Sequence, residues 1–241
     1  YDMWIETELA QGARPGQFVC VYTKNAAALL PRPISICEVN EEKTMLRLVY
    51  RTVGTGTNEF ADYHAGTEIS LLGPLGNGFP VEKAAGKRVF LIGGGIGIPP
   101  MLQLSKEIKK AGQAYCELSV LGYRNELFLN TDLEKYSQVY VATEDGSAGT
   151  KGTVLDAIKE KGLSGDVIFA CGPMPMLRAI KEYAAANNME AYISLEEHMA
   201  CGVGACLGCV CKTKNVDAHS HVHNSRICTD GPVYNAEEVE I

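Results

Sequence analysis

Toward the C-terminal end the chain reads Cys201-Gly-Val-Gly-Ala-Cys206-Leu-Gly-Cys209 and later Cys228, so four residues separate the first two thiols, two the next pair, and eighteen precede the last. This segment is rich in Gly and poor in large apolar side chains, too little to build a core, so a cross-link or a metal must organise it. The spacing is the plant-type pattern of a [2Fe-2S] cluster. A loop around an inorganic core must turn its amides towards the sulfurs, and Gly202, Gly204 and Gly208 are expected to supply the positive φ and close approach this needs. Four thiolates also suit zinc, although zinc sites usually pair two Cys-x-x-Cys knuckles and this stretch has one. Free thiols are the third reading.

Nine cysteines, an odd number with no signal peptide in view, do not suit a disulfide framework. The thiols are expected to be free or metal-bound, and the expected location is the cytoplasm. Cys20, Cys37, Cys116 and Cys171 lie among apolar neighbours and read as small buried hydrophobes. Cys211 follows Cys209 too closely for the pattern and is expected not to be a ligand. His219, His221 and His223 alternate before Cys228 and could face one way as a metal site. An exposed hairpin is preferred, because a Rieske-type centre would replace two of the cysteines and all four are present. His198 reads as structural. Apolar residues make up 46% of the 241, and no run approaches the roughly 18 needed to span a membrane. A net charge of −7 without a basic cluster argues against nucleic acid as a partner. Tyr1 opens directly into a strand-like run, so residues preceding it are expected.

The organisation follows from a change of texture at Lys87. Before it come short β-rich runs broken by Gly and Pro (17–22, 34–39, 44–50 and 68–72), the spacing of a small antiparallel barrel. After it strands and helices alternate: strand 88–92, helix 100–110, strand 117–122, strand 138–143, helix 154–161, strand 167–171, helix 174–187 and strand 192–195. Alternation of this kind indicates a parallel sheet covered by helices. The fold class is therefore multi-domain β plus α/β, with an antiparallel barrel over 1–84, a parallel-sheet nucleotide-binding α/β domain over 85–193 and a small C-terminal [2Fe-2S] domain over 194–241.

Val89-Phe-Leu-Ile-Gly93-Gly94-Gly95-Ile96-Gly97-Ile98-Pro99-Pro100 is a strand, a Gly-rich turn and a helix start. Glycines let backbone approach a pyrophosphate, and the helix N-terminus offers free amides. Pro100 takes the place of the third Gly of the standard fingerprint and suits an early helical position; a plain tight turn is the alternative. A second turn, Cys171-Gly172-Pro173-Met174, ends another strand, and such loops converge at the carboxyl edge of a parallel sheet. Gly93, Gly94, Gly95, Gly97, Pro100, Cys171, Gly172, Pro173 and Met174 are the candidates for NAD contact. Thr143 to Ser147 ends another strand and either contributes to that edge or is only a polar turn, and Glu117 stands at about the right distance for a ribose hydroxyl.

Arg32-Pro33-Ile34-Ser35, Gly54-Thr-Gly56-Thr57, the Gly-rich turn, Cys-Gly-Pro and the terminal cysteines occur in the order that resembles the ferredoxin reductase superfamily. Within it, the chain is similar along almost its whole length to electron transfer subunits of NAD-dependent (type B) dihydroorotate dehydrogenases. The resemblance implies FAD contacts at Arg32, Pro33, Ile34, Ser35, Val49, Tyr50, Arg51, Gly56 and Thr57. It implies cluster ligation by Cys201, Cys206, Cys209 and Cys228, and NADH as the nicotinamide substrate. Arg32 carries a fork of donors suited to phosphate, and Thr57 is expected to cap a short helix over 58–63. The resemblance further implies an oxidoreductase subunit with no catalytic side chain of its own. It would relay electrons to an FMN-containing dihydroorotate dehydrogenase catalytic subunit in a heterotetramer with two copies of each. A related flavin and iron-sulfur subunit of a hydrogenase, sulfite reductase or ferredoxin transhydrogenase is the alternative. A zinc-stabilised nucleotide-binding module with no redox role is the other.

Overall fold

The protein is described from a computed structural model, which covers residues 1–217 and 221–241. His219 lies outside the described residues. Five strands open the chain: β1 (Asp2–Glu6), β2 (Phe18–Val21), β3 (Arg32–Val39), β4 (Met45–Val49) and, after the short helix α1 (Thr55–Ala61), β5 (Leu71–Leu75). They form one antiparallel sheet in the order β1-β4-β3-β2-β5. Alternation along β4 turns Leu46 and Leu48 inward, where they meet Val19, Val21, Ile34, Ile36 and Phe60 in a shared core. The strand expected over 68–72 begins later, at Leu71, since Phe18, Cys20 and Val21 of β2 take Leu75, Leu72 and Leu71 as partners.

The second unit contains β6 (Arg88–Gly94), α2 (Pro99–Ala111), β7 (Cys116–Tyr123), α3 (Asn130–Leu133), β8 (Gln138–Thr143), β9 (Thr150–Lys151), α4 (Val154–Glu160), β10 (Val167–Cys171), α5 (Met174–Ala186) and β11 (Glu190–Ser194). The strand expected over 192–195 thus starts two residues earlier, in register with Val167 of β10. Its strands are parallel, and β6 and β10 are buried on both faces, as a sheet covered on two sides requires. Phe90, Ile92, Ile168 and Ala170 pack with residues of α4 and α5, while Val89, Leu91, Val167 and Phe169 pack with residues of α2.

The C-terminal segment adds the hairpin β12 (Val210–Lys212) with β13 (Asn224–Arg226), then β14 (Val233–Asn235). β14 pairs antiparallel with β11, so the parallel sheet is completed from the far end of the chain, in the order β14-β11-β10-β6-β7-β8-β9.

α2 also joins the two sheets. Its apolar residues Met101, Leu104 and Ile108 are buried as their spacing predicts, but so are Gln103 and Lys106. The Gln103 side-chain oxygen accepts from the Val39 amide at 2.8 Å, and Lys106 Nζ donates to the Val39 carbonyl at 2.9 Å. Each buried polar group is therefore satisfied by the β3 backbone, and the two sheets are held in one orientation.

Candidate redox site

Gly93 of β6 is the register partner of Cys171 in β10, and Cys171 is the partner of Ser194 in β11. The Gly-rich turn, the Cys-Gly-Pro turn and the segment after Ser194 therefore leave the sheet side by side. Because the chain moves from β6 to β7 on one side and to β10 on the other, this is the topological switch point, where open parallel sheets bind their ligands. The two turns touch: an added Cβ on Gly94 would sit 2.5 Å from Met176 Sδ, and one on Gly172 would lie 3.1 Å from the Gly94 backbone. Pro99 and Pro100 occupy the first positions of α2, where no amide hydrogen is needed. Burial pushes the Cys171 thiol well above the usual range, partly offset by a hydrogen bond with Ser194.

One nucleotide expectation changes. Glu117 pairs with Val89 near the start of β6, at the opposite edge of the sheet from the Gly-rich turn, so it cannot reach a ribose held there. It hydrogen-bonds Ser105 at 3.3 Å, and burial raises its carboxyl to about 7. Thr143 ends β8 on the correct edge, but its hydroxyl is directed to the carbonyl of Ala148 in its own turn.

A cleft of about 720 Å3 opens between the antiparallel sheet and this edge. Arg32, Pro33, Ile34, Ser35, Val49, Tyr50, Arg51 and Thr57 line one side, while Ile96, Ser194, Leu195, Glu196 and His198 line the other. Its volume is that of a cofactor cleft, with apolar walls and a few convergent polar groups. Gly56 is not on the wall but packs behind Arg32: a Cβ there would fall 2.0 Å from Arg32 Nε. The guanidinium Nη1 donates to the carbonyls of Ala28, at 3.2 Å, and Leu30.

Thr57 does not cap a helix over 58–63. α1 begins at Thr55 with Gly54 as its cap, and Thr57 Oγ1 accepts from the amides of Val53 at 2.9 Å and Gly54 at 3.2 Å. The hydroxyl is thus used to close the helix start from inside. His198 lines the cleft wall, a position its sequence context did not suggest.

The same wall runs on into the cysteine loop. Met199 still borders the cleft and Cys201 follows two residues later. The amides of Val203 and Cys206 point at Cys201 Sγ, both at 3.4 Å, and the Gly204 amide points at Cys228 Sγ at 3.2 Å. Burial opposes ionisation of Cys201, yet these amides and the Cys206 side chain bring its pKa down to about 6. Burial and the neighbouring Cys209 push Cys228 up to about 12. Cys201 thus interacts with Cys206 and Cys228 with Cys209, and Cys201 also acts on Cys228, so the four cysteines share one neighbourhood. Among the described residues no three or more His, Cys, Asp or Glu groups converge as on a single ion. Cysteines gathered on glycine-bearing loops, with backbone amides aimed at their sulfurs, fit an iron-sulfur cluster. Gly202 and Gly204 have positive φ, of 70° and 77°, as expected; at the third position Leu207 takes it, φ 56°, in place of Gly208.

Cys211 lies in β12, opposite Ser225, with its thiol hydrogen-bonded to Tyr234. Cys20, Cys37 and Cys171 are buried and Cys116 partly exposed. His221 and His223 are exposed, and His223 Nδ1 lies 2.9 Å from the Lys214 carbonyl. No helix among the described residues is long and apolar enough to cross a membrane.

An antiparallel sheet and a parallel nucleotide sheet facing one cleft, with a cysteine loop at its end, define an oxidoreductase of the ferredoxin-reductase class. Residues 196–240 match the family described as the iron-sulfur cluster binding domain of dihydroorotate dehydrogenase B, and residues 91–182 match the oxidoreductase NAD-binding domain. The electron transfer subunit of dihydroorotate dehydrogenase B (NAD(+)) from Bacillus caldolyticus is 43% identical, over 99% of this chain and 92% of its own length. That of Bacillus velezensis is 43% identical over 100% and 93%. A solved NADH-dependent reduced ferredoxin-NADP oxidoreductase superposes with a TM-score of 0.87 at 30% identity, covering 99% of this chain and 84% of that one. The ferredoxin NADP+ reductase of Neisseria gonorrhoeae, at 17% identity, TM-score 0.62 and coverage of 78% and 84%, shares the fold. The chain belongs to the family of dihydroorotate dehydrogenase B electron transfer subunits.

Proposed function

We propose that this chain relays electrons between NAD(H) and a partner subunit that oxidises dihydroorotate to orotate, using FAD and a [2Fe-2S] cluster. The observation that carries the reading is continuity: the segment from Ser194 to Met199 lines the cleft beside the nucleotide turns and leads directly into Cys201. When bound, the flavin exchanges a pair of electrons with the nicotinamide and single electrons with the cluster, the conversion that neither of those can make alone.

In this reading residues 1–84 hold the flavin, 85–193 the NAD(H) and 194–241 the cluster. Arg32 binds flavin phosphate oxygens through its planar fork. Ser35 and Tyr50 orient the ring system, with Pro33, Ile34, Val49, Arg51, Gly56 and Thr57 shaping the cleft. Gly93, Gly94, Gly95 and Gly97, with Pro100 at the start of α2, bring bare backbone up to the nucleotide, and Cys171, Gly172, Pro173 and Met174 cover it from the neighbouring strand. Cys201, Cys206, Cys209 and Cys228 ligate the cluster. Cys209 and Cys228 are buried, whereas Cys206 is exposed beside Val203 and Leu207, each more than half exposed. We place the partner on the loop from Glu196 to Cys206, in a heterotetramer with two copies of each subunit in the cytoplasm. Service to a ferredoxin-linked oxidoreductase is the second reading, supported by the likeness to the NADH-dependent enzyme; the higher identity to dihydroorotate dehydrogenase subunits favours the first.

The test is an anaerobic absorbance spectrum with iron and labile sulfide assays, before and after NADH, repeated with the catalytic subunit and dihydroorotate. Flavin bands over a broad cluster absorption, bleached by NADH and by dihydroorotate only when the partner is present, are expected. A colourless zinc protein would overturn the reading.

A further inference from the structure

The last cysteine of the cluster pattern is held from outside its own segment. Cys228 is followed by the turn Thr229-Asp230-Gly231-Pro232, and residues just beyond β5 grip that turn. The Asn77 side-chain amide donates to the carbonyls of Asp230 at 2.9 Å and Thr229 at 3.2 Å, and the Asn77 backbone amide donates to the Gly231 carbonyl at 2.6 Å. Asn77 and Pro232 form an isolated parallel bridge. Contact is so close that a Cβ on Gly76 would sit 2.6 Å from Pro232 and 3.1 Å from the ring of Phe18. Phe18 and Pro232 both line the flavin cleft. The grip is itself anchored, since the buried side chain of Gln17 donates to the Gly76 carbonyl at 2.7 Å and accepts from the Arg14 amide at 2.8 Å.

The other ligand loop rests on the same strand. A Cβ on Gly202 would lie 3.1 Å from Leu75 and 3.2 Å from the sulfur of Cys20, both in the antiparallel sheet. β5 and the turn after it therefore carry the first and last cysteine segments together. Within the turn, Asp230 accepts from the Arg226 backbone and guanidinium, which makes it stiff internally but does not attach it to the sheet. At its far end the turn is tied to the parallel sheet, where the Leu195 amide donates to the Pro232 carbonyl and β14 begins; its hydrogen bonds to the antiparallel-sheet side come from Asn77.

We propose that Asn77 is a positioning residue: by tying the Cys228 turn to the end of β5, it sets the separation between flavin cleft and cluster. The inference rests on the flavin and cluster reading given above. Three hydrogen bonds reach the turn from this residue, and two of them come from its side chain, so substitution removes those two and leaves the backbone contact. Asn77→Ala deletes the donors. Asn77→Asp keeps the size but sets a carboxylate against two carbonyls, and so acts in the same direction without opening a cavity.

The experiment is stopped-flow reduction of the purified holoprotein by NADH, following flavin and cluster absorbance separately, with iron release to a chelator as a second measurement. Wild type is expected to reduce the flavin and then the cluster. Both variants should retain the wild-type rate of flavin reduction, slow the cluster phase, and release iron about tenfold faster, the change expected from loss of two hydrogen bonds on an opening turn. Wild-type cluster kinetics and iron retention in both variants would overturn the proposal and leave the relay intact. A wild-type protein with no iron and no second phase would overturn the relay itself.

Discussion

Gly97 stands so close to Cys171 that a Cβ built on it would lie 2.3 Å from the Cys171 carbonyl oxygen. Two turns separated by some seventy residues of sequence are thereby packed backbone to backbone at the switch point of the parallel sheet. A rigid carbonyl, unlike the end of a flexible side chain, cannot swing away. Gly97→Ala should therefore separate the turns, at a cost of about 1–3 kcal/mol of stability for the overpacking. It should also weaken NADH use at least about tenfold, because in the proposed function the displaced backbone is what approaches the nucleotide. Thermal unfolding and the NADH concentration dependence of flavin reduction measure the two effects.

Gly56 serves Arg32 in a similar way. With a Cβ 2.0 Å from Nε, alanine at this position must push the guanidinium off its present course. Gly56→Ala is expected to lower the flavin bound per chain after desalting nearly as far as Arg32→Ala does. The double variant should be little worse than either, since both act on one contact. Flavin absorbance against protein concentration reads the result.

The proposed function separates the cysteines into ligands and bystanders. Cys201→Ser and Cys228→Ser should each lose most of the iron and labile sulfide, whereas Cys211→Ser should keep about two irons per chain. Cys211 faces Tyr234 from β12, and serine can retain that hydrogen bond.

Glu117 provides a pH test away from the redox centre. Its carboxyl is raised to about 7 by burial, from an ordinary value of 4.5. Below pH 4.5 both folded and unfolded chains are protonated there. Between 4.5 and about 7 the unfolded chain ionises first, so this group lowers stability as pH rises, and the loss persists above 7. Glu117→Gln should leave stability unchanged near pH 4 and raise it by roughly 1–2 kcal/mol at pH 8, a figure reduced for partial solvent screening. Denaturant unfolding at the two pH values checks the sign.

Much of this was legible in the chain because local chemistry dictates it. Short β-rich runs divided by Gly and Pro and alternating strands and helices after Lys87 point to the two sheet types, and thiols with four, two and eighteen residues between them narrow the last segment to a few geometries. Glu117 shows where such reading fails: distance along the chain cannot tell which end of a strand a side chain occupies. Thr57 shows a second failure, because a hydroxyl near a helix start can serve as its cap or as its third residue, and the entry angle set by Gly54 decides between them. Leu207 adopts the left-handed backbone although Gly208 beside it was the expected site. The cysteine loop's path, more than residue preference, sets that angle.

Periodicity, turn residues and cysteine spacing, all properties of neighbours along the chain, determined by themselves the two sheet types, the order of the units and the cluster-type loop. Only the tertiary structure decided that β14 closes the nucleotide sheet, that Gln103 and Lys106 are buried against β3, and that Asn77 holds the Cys228 turn. Those contacts join residues distant in sequence. Polar side chains of this kind are equally at home in water, and only a backbone amide or carbonyl brought beside them by folding gives them a buried or positioning role.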